Sequence, residues 1–565
     1  MRTWSSRTRV GVVVLLTALA ALVAPSAAAA APAATVPFRV VGLNDLHGNL
    51  EPPTGSSGRV TQPDGTVVDA GGAAFLATHL KQLRGEVRDS AFVGQGDLIG
   101  ASPLSSALFH DEPTIELLRS LGMRTSAAGN HEFDEGYREL LRIQTGGCHP
   151  VDGCQFRPTY RGSGFPYLSA NVTLRQSPVP GLLPFWISTV QGIPVGFIGM
   201  PLEGTPGIVS AEGIRDLRFG DEIAAADRYS AVLDRLGVKT IVLLLHQGDN
   251  LAGANPPDGC NIVPGAGREI AEGVSPRIDA VLAGHSHQQF NCSVPDPAGN
   301  PRPYIQGAAF GRMLSVVDLQ IDRRTRDAVR DRTVAFNRVV TRDVAPDAAA
   351  QAIVQEASTK AAPIGNRPVG TITADVLRAA VPSGESPLGD LIADSQLAAT
   401  AGAGAQIALM NPGGVRADLT YASSPAGEGA GVVTYAEAFT VQPFGNVMTT
   451  ITLTGAQIDA VLEQQWQPAA TRILQPSTGF TYLQTPAAPV GSRVSGIALD
   501  GVPLDPAATY RVSVNNFLAD GGDGFTVLTE GTDRTGGVVD LDAFTAYLTA
   551  NPNLAPPAPT RITVG

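Results

Sequence analysis

Thr240-Ile241-Val242-Leu243-Leu244-Leu245-His246 decides the fold class. β-formers and leucines follow one another without a polar break, so both faces of this strand must be covered. A histidine then stands where the apolar run ends, and strand C-terminal ends are where α/β folds build their sites. The same arrangement recurs along the chain. Residues 38–43 lead to Asp45, residues 91–93 to Asp97 and residues 279–283 to His285. Residues 195–200 form a further apolar run, and residues 124–128 a less clear strand before Asn130 and His131. Helical patterns lie between them at 73–83, 113–121 and 221–236. Apolar runs separated by helices predict an α/β domain with sheets buried on both faces.

At 565 residues the chain is too long for one core. Apolar residues make up 43% and charged residues 16%, a globular composition, and 63 glycines and 43 prolines imply many loops. The formal net charge of −12 lacks the electrostatic footprint of a protein that binds long nucleic acids. Small anionic ligands stay open, because metals or a few arginines supply local positive charge.

Residues 1–34 read as a signal peptide. Arg2, Arg7 and Arg9 open it, residues 10–23 form its apolar core, and Pro25 and the small residues 26–31 prepare cleavage near residues 31–35. The apolar run is short of a bilayer span and no apolar tail closes the C-terminus, so a secreted, extracellular protein without a stable membrane anchor is expected. Four cysteines suit that compartment. They allow three pairings, of which Cys148–Cys154 and Cys260–Cys292 are favoured because each closes a loop. No Cys-x-x-Cys suggests a cysteine zinc site.

The pattern changes near residue 345. An alanine-rich helix over 347–360, followed by Pro363 and Gly365, reads as a linker helix within residues 343–365. A second domain then covers 366–565, opening on a strand at 369–372, with a helix near 388–399 and a late strand at 510–514. The first domain covers 36–342.

Asp45, His47, Asp97, Asn130, His246, His285 and His287 all fall in short motifs beside these runs. Singly each has a bland reading: an Asp-x-His is commonly a turn, and a histidine behind an apolar strand is commonly buried. As an ordered series they supply the neutral imidazoles and carboxylates that a hydrolytic metal site requires. Seven ligands with one shared is the count for two four-coordinate ions. His79, His110 and His149 lack such context and read as surface or core residues.

Through Asp45-Leu46-His47-Gly48, Gly96-Asp97, Gly129-Asn130-His131-Glu132-Phe133-Asp134 and Gly284-His285-Ser286-His287, residues 37–342 resemble the calcineurin-like metallophosphoesterases. Residues 366–540 resemble the C-terminal domain of the 5′-nucleotidases. The resemblance implies an α/β protein: an N-terminal αββα sandwich, the linker helix, and a C-terminal α/β substrate-binding domain. It implies that Asp45, His47, Asp97 and His287 hold one divalent ion and Asp97, Asn130, His246 and His285 the other. Four histidine ligands favour zinc, manganese, cobalt or iron over magnesium. It further implies that His131, oriented by Asp134, is catalytic beside these ions, and that hydroxide held between them attacks phosphorus in line.

In the second domain, Asn411-Pro412-Gly413-Gly414-Val415-Arg416, Pro443-Phe444-Gly445-Asn446 and Phe517-Leu518-Ala519-Asp520-Gly521-Gly522-Asp523 resemble the substrate-binding elements of that family. The resemblance implies that Phe444 and Phe517 clamp a base, Asp523 binds the ribose hydroxyls and Arg416 contacts phosphate, with Asn411 and Asn446 also at the substrate. Aromatic faces and a bidentate guanidinium suit those tasks. One departure stands out: relatives often carry an arginine just before the Glu385 segment, where this chain has Gly384 and only Arg378 nearby. The expected function is a secreted enzyme that hydrolyses nucleoside 5′-monophosphates, a small-molecule nucleotide substrate. UDP-sugar hydrolysis or 2′,3′-cyclic-nucleotide cleavage is the alternative. The full ligand set disfavours a non-catalytic binding protein, and the clamp motifs disfavour a sulfur-compound hydrolase. The sequence carries no signal for an oligomeric state.

Overall fold

The computed structural model describes residues 34–209, 213–467 and 470–565. The expected signal peptide therefore lies outside the described residues, save for its last position.

Two six-stranded sheets form the first domain. One runs Val334–Val339, Met313–Asp322, Thr35–Leu43, Ser90–Gly94, Met123–Ala127, Tyr167–Leu168 in spatial order. The other runs Phe290–Pro295, Pro301–Gln306, Ala280–Leu282, Thr240–Leu245, Ile193–Met200, Phe185–Val190. The unbroken apolar run at 240–245 is explained by what each face meets. Val242 and Leu244 point into the core between the sheets, with Val40, Val93 and Val317 from the facing sheet. Ile241, Leu243 and Leu245 point outward to the helices Glu222–Arg235 and Ala266–Gly273. On the other outer face, Val41, Leu43 and Phe92 meet the helices Ala73–Gly85 and Glu112–Ser120. The result is a helix–sheet–sheet–helix sandwich. Its central strands are parallel, so their C-terminal ends gather along one rim.

The linker helix spans Ala348–Gly365, with Asp347 capping it by accepting from the Ala350 amide at 3.1 Å. It runs beyond the expected end at residue 360 and passes through Pro363, because a proline in the last turn removes only one intrahelical bond. Its buried face, Ala350, Val354, Ala357 and Ala361, packs into the first domain's outer core, so it is a built part of that layer.

The second domain centres on a five-stranded sheet ordered Gln475–Pro476, Ile407–Met410, Thr509–Asn515, Val447–Thr454, Thr532–Val539. Helices Pro387–Thr400 and Asp540–Ala550 contribute to one core beside it, and helix Gly455–Glu463 to another. Both favoured disulfides, Cys148–Cys154 and Cys260–Cys292, are present. Among the described residues no helix is long and apolar enough to cross a membrane.

Candidate metal centre

The rim of the sandwich brings all seven expected ligands together. Asp45, His47, Asp97 and His287 each offer a ligand atom within 4.8 Å of the others, and Asp97, His246 and His285 do the same. Asn130 completes the second group: its Oδ1 lies 3.1 Å from His246 Nε2 and 3.0 Å from His285 Nδ1. Asp97 stands between the groups. Its Oδ1 accepts from the His131 amide at 2.8 Å, while Oδ2 lies 3.1 Å from His246 Nε2 and 3.7 Å from His47 Nε2.

The backbone is bent to make this convergence. Asp45 (φ 48°), His47 (φ 46°), Asp97 (φ 51°), His285 (φ 72°) and His287 (φ 61°) are all left-handed. Each such residue costs on the order of 1–3 kcal/mol and persists only where its surroundings over-determine it. Glycine is required where loops touch. A Cβ at Gly129 would lie 2.2 Å from Asp97 Oδ1, and one at Gly96 would lie 2.6 Å from both the Gly129 amide nitrogen and His246 Nδ1.

The donor set fits divalent ions. Gly100 O accepts from His47 Nδ1 at 2.9 Å, so the neutral ring presents a lone pair on Nε2, only 3.0 Å from His287 Nε2. Gln95 O accepts from His246 Nδ1 at 2.8 Å, which turns His246 Nε2 toward Asp97 and Asn130. Convergent acceptors of this kind repel one another unless a cation stands among them. Burial drives His47 and His287 well below the usual histidine range, and His285 down to about 3, the state in which imidazole ligates. Burial raises Asp45 to about 6. It also opposes charge on Asp97, yet His246, His131 and His47 together hold that carboxyl well below its ordinary value. His246 is carried up to about 9, its burial outweighed by Asp97.

His131 stands beside these residues. Its Nδ1 pairs with Asp134 Oδ2 at 2.8 Å, and its ring lies 4.9 Å from that of His47. Asp134 does not cap the following helix, whose N-cap is Gly136. Burial disfavours the imidazolium, but Asp134 and Asp97 outweigh it and raise the pKa.

Two supporting carboxylates went unnoticed in the sequence. Glu132 is buried and accepts from the amides of Asp97 at 2.8 Å and Leu98 at 2.9 Å, pinning the Gly96-Asp97 loop. Asp111 accepts from the Gly100 amide at 3.0 Å, and Gly100 in turn orients His47. Glu132 lies inside the Gly129–Asp134 motif, whose other polar residues give the sequence no means of marking it as a supporting carboxylate. His110 and His149 also have more context than expected. Their rings stack at 3.8 Å beside Glu135 and Asp152, next to the loop closed by Cys148–Cys154. His79 is a buried core histidine whose Nε2 pairs with Thr341 O at 3.0 Å.

The second domain reaches the centre from above. Phe444 stacks on His131 with centroids 5.7 Å apart and planes 18° from parallel. Arg416 lies over Phe444 at 5.7 Å, and its charge is felt at His47, His131 and His287. Asn411 Nδ2 donates to Asp523 Oδ2 at 2.7 Å, and Asn411 Oδ1 accepts from Asn515 at 3.0 Å. Phe517 leans on the second domain's core. Asn446 turns away, its Nδ2 donating to Asp540 Oδ2 at 3.1 Å. Arg378 Nη1 donates to Arg416 O at 3.1 Å, so this out-of-register arginine does stand beside Arg416. A cavity of about 860 Å³ opens between the domains, with Phe310 and Arg416 in its wall and Val354 of the linker helix opposite.

Residues 38–289 match the calcineurin-like phosphoesterase family, and residues 368–530 match the 5′-nucleotidase C-terminal domain. Among curated proteins, an endonuclease of Bacillus subtilis is 34% identical over 515 residues, 86% of this chain and 37% of that protein. A cell wall protein of Listeria monocytogenes is 33% identical over 555 residues, 92% of this chain and 68% of that protein. The chain thus spans little more than a third of the Bacillus relative. Among solved structures, a 5′-nucleotidase precursor of Thermus thermophilus superposes with a TM-score of 0.78 at 28% identity, covering 94% of this chain and 99% of that one.

Proposed function

Because the chain belongs to the calcineurin-like phosphoesterases that carry a 5′-nucleotidase C-terminal domain, and is therefore a hydrolase, we propose that it releases phosphate from nucleoside 5′-monophosphates. One observation carries this reading: Phe444 of the second domain stacks on His131 of the first, with Arg416 over the Phe444 ring. An aromatic ring suited to stacking a base, with a guanidinium suited to phosphate beside it, next to the cluster of metal-ligating side chains supports the reading.

Two divalent ions in the cluster would neutralise phosphoryl charge and activate water. Asp45, His47, Asp97 and His287 would hold one, and Asp97, Asn130, His246 and His285 the other. The chain's own residues do the rest. Arg416 orients the phosphoryl group through its fork. His131, whose pKa Asp134 and Asp97 raise against the opposing effect of burial, donates a proton to the departing ribose O5′. Phe444, with Phe517, stacks the base, and Asp523 accepts from the ribose hydroxyls. The Asn446 amide, occupied by Asp540, would have to turn to join them. Two disulfides and the basic, then apolar N-terminus support export to the cell exterior. The net charge of −12 favours small nucleotides over long nucleic acids.

A second reading, UDP-sugar or 2′,3′-cyclic-nucleotide hydrolysis, is favoured by Gly384 standing where relatives often carry an arginine, since a looser grip on a terminal phosphate admits diesters. The test is to assay purified protein on AMP, UDP-glucose and 2′,3′-cyclic AMP, with and without chelator. Chelator-sensitive hydrolysis, read by separation of the products, is expected to be fastest with AMP. Hydrolysis of none of the three would refute the nucleotide-hydrolase reading.

A further inference from the structure

Asp523 does not face the ribose position alone. Arg472 Nε lies 3.2 Å from its Oδ1, opposite the 2.7 Å bond from Asn411 to Oδ2. The carboxylate sits on a left-handed residue (φ 55°), and Gln467 Nε2 fixes its backbone by donating to Asp523 O at 2.6 Å. Arg472 belongs to none of the motifs that carry the family resemblance. Its side chain is 28% exposed, and among the described residues its terminal nitrogens have no other hydrogen-bond partner. Its charge is also felt at His285 of the metal cluster. The guanidinium thus pairs with Asp523 through Nε, and among the described residues its Nη1 and Nη2 nitrogens make no hydrogen bond.

That placement has an electrostatic consequence. A buried carboxylate that accepts from ribose hydroxyls repels any phosphate esterified to one of them. A guanidinium at the same carboxylate offsets that negative charge, and its Nη1/Nη2 pair matches two phosphate oxygens. We propose that Arg472 forms a subsite for a phosphate on the ribose 3′-oxygen, so that the site accepts nucleoside 3′,5′-bisphosphates as well as monophosphates. The inference rests on the 5′-nucleotidase reading. Only the 5′ ester reacts: water oxygen bonds to phosphorus, the P–O5′ bond breaks, and the proton goes to O5′. The 3′-phosphate remains a spectator held by Arg472.

The experiment measures KM and kcat for AMP and adenosine 3′,5′-bisphosphate in the wild type, Arg472→Gln and Arg472→Lys. Arg472→Gln is expected to raise the bisphosphate-to-AMP ratio of KM at least tenfold, and Arg472→Lys to recover part of that, having the charge without the fork. An unchanged ratio overturns the proposal, whether both KM values rise together, as a merely structural hold on Asp523 would give, or neither moves. If the wild type releases no phosphate from AMP, it is the phosphohydrolase reading that has failed. Calorimetric titration with 3′-AMP and adenosine then tests the subsite separately. Tighter binding of 3′-AMP that Arg472→Gln abolishes supports it, and equal binding refutes it.

Discussion

The proposed metal centre and the proposed substrate face of the second domain are built in opposite ways. In the metal-ligand cluster, Asp45, His47, Asp97, Asn130 and His246 are buried, and most of the set is held on strained backbone by amide and carbonyl contacts. On the substrate face, Phe444, Arg416 and Phe517 are only half-buried, and much of their contact is ring-on-ring or cation-on-ring. A rigid centre suits chemistry that tolerates little misplacement, and a looser face suits a ligand that must enter and leave. Defects in the first should therefore abolish the reaction, and defects in the second should change its affinity.

The largest effect is expected at Asp97, which stands between both ligand groups. Asp97→Ala should eliminate chelator-sensitive turnover and lower the bound metal measured by elemental analysis. An Asp97→Ala protein with full metal content and wild-type kcat would break the comparison. Next comes His131→Ala. It should lower kcat by about 10²–10⁴-fold, the usual contribution of a positioned acid or base, while leaving metal content intact. Loss of metal together with activity would place His131 in the coordination shell instead.

Phe444 and Phe517 sharpen the other side. Stacking of a base on an aromatic ring contributes about 1–3 kcal/mol, so Phe444→Ala should raise KM for AMP roughly tenfold with little change in melting temperature. Phe517 leans on the core that includes Trp466 and Leu518, so Phe517→Ala should raise KM and also lower the melting temperature. If both variants lower stability alike and leave KM unchanged, both rings are packing residues and the clamp does not exist.

The same division explains what could be read in advance. Strands ending at Asp45, Asp97, His246 and His285 were legible because burial on two faces leaves an unalternating apolar run, and the site follows at its end. Glu132, Asp111 and Arg472 were not. Each holds a loop or side chain 11 to 51 residues away through its side chain, which leaves no period and no spacing in the sequence. The linker helix was legible as an alanine-rich run, but its passage through Pro363 depends on packing that only the fold provides. Arg378 looked out of register because register was counted along the chain, whereas its guanidinium reaches Arg416 O across the loop.

The smallest expected effect lies at the rim, where His110 tests whether a contact near the centre belongs to it. Glu135 Oε2 and Asp152 Oδ2 each lie 2.9 Å from a His110 ring nitrogen, His149 stacks above, and the charge of Glu139 is also felt. The bond to Glu135 outweighs the half-burial of the ring and raises its pKa from 6.5 to about 9. A histidine whose folded pKa is raised binds its proton more tightly in the folded state. Its contribution to stability is then fully present below about 6.5 and disappears as pH rises through about 9. Wild-type melting temperature should fall across that window by more than that of His110→Gln, whose slope lacks this titration. Because Glu135 follows Asp134 in the chain, the variant should also be assayed for kcat. An unchanged kcat with a flattened pH slope makes the clasp a stabiliser of the disulfide-closed loop. A lower kcat would extend the over-determined centre outward, through Asp134, to the surface.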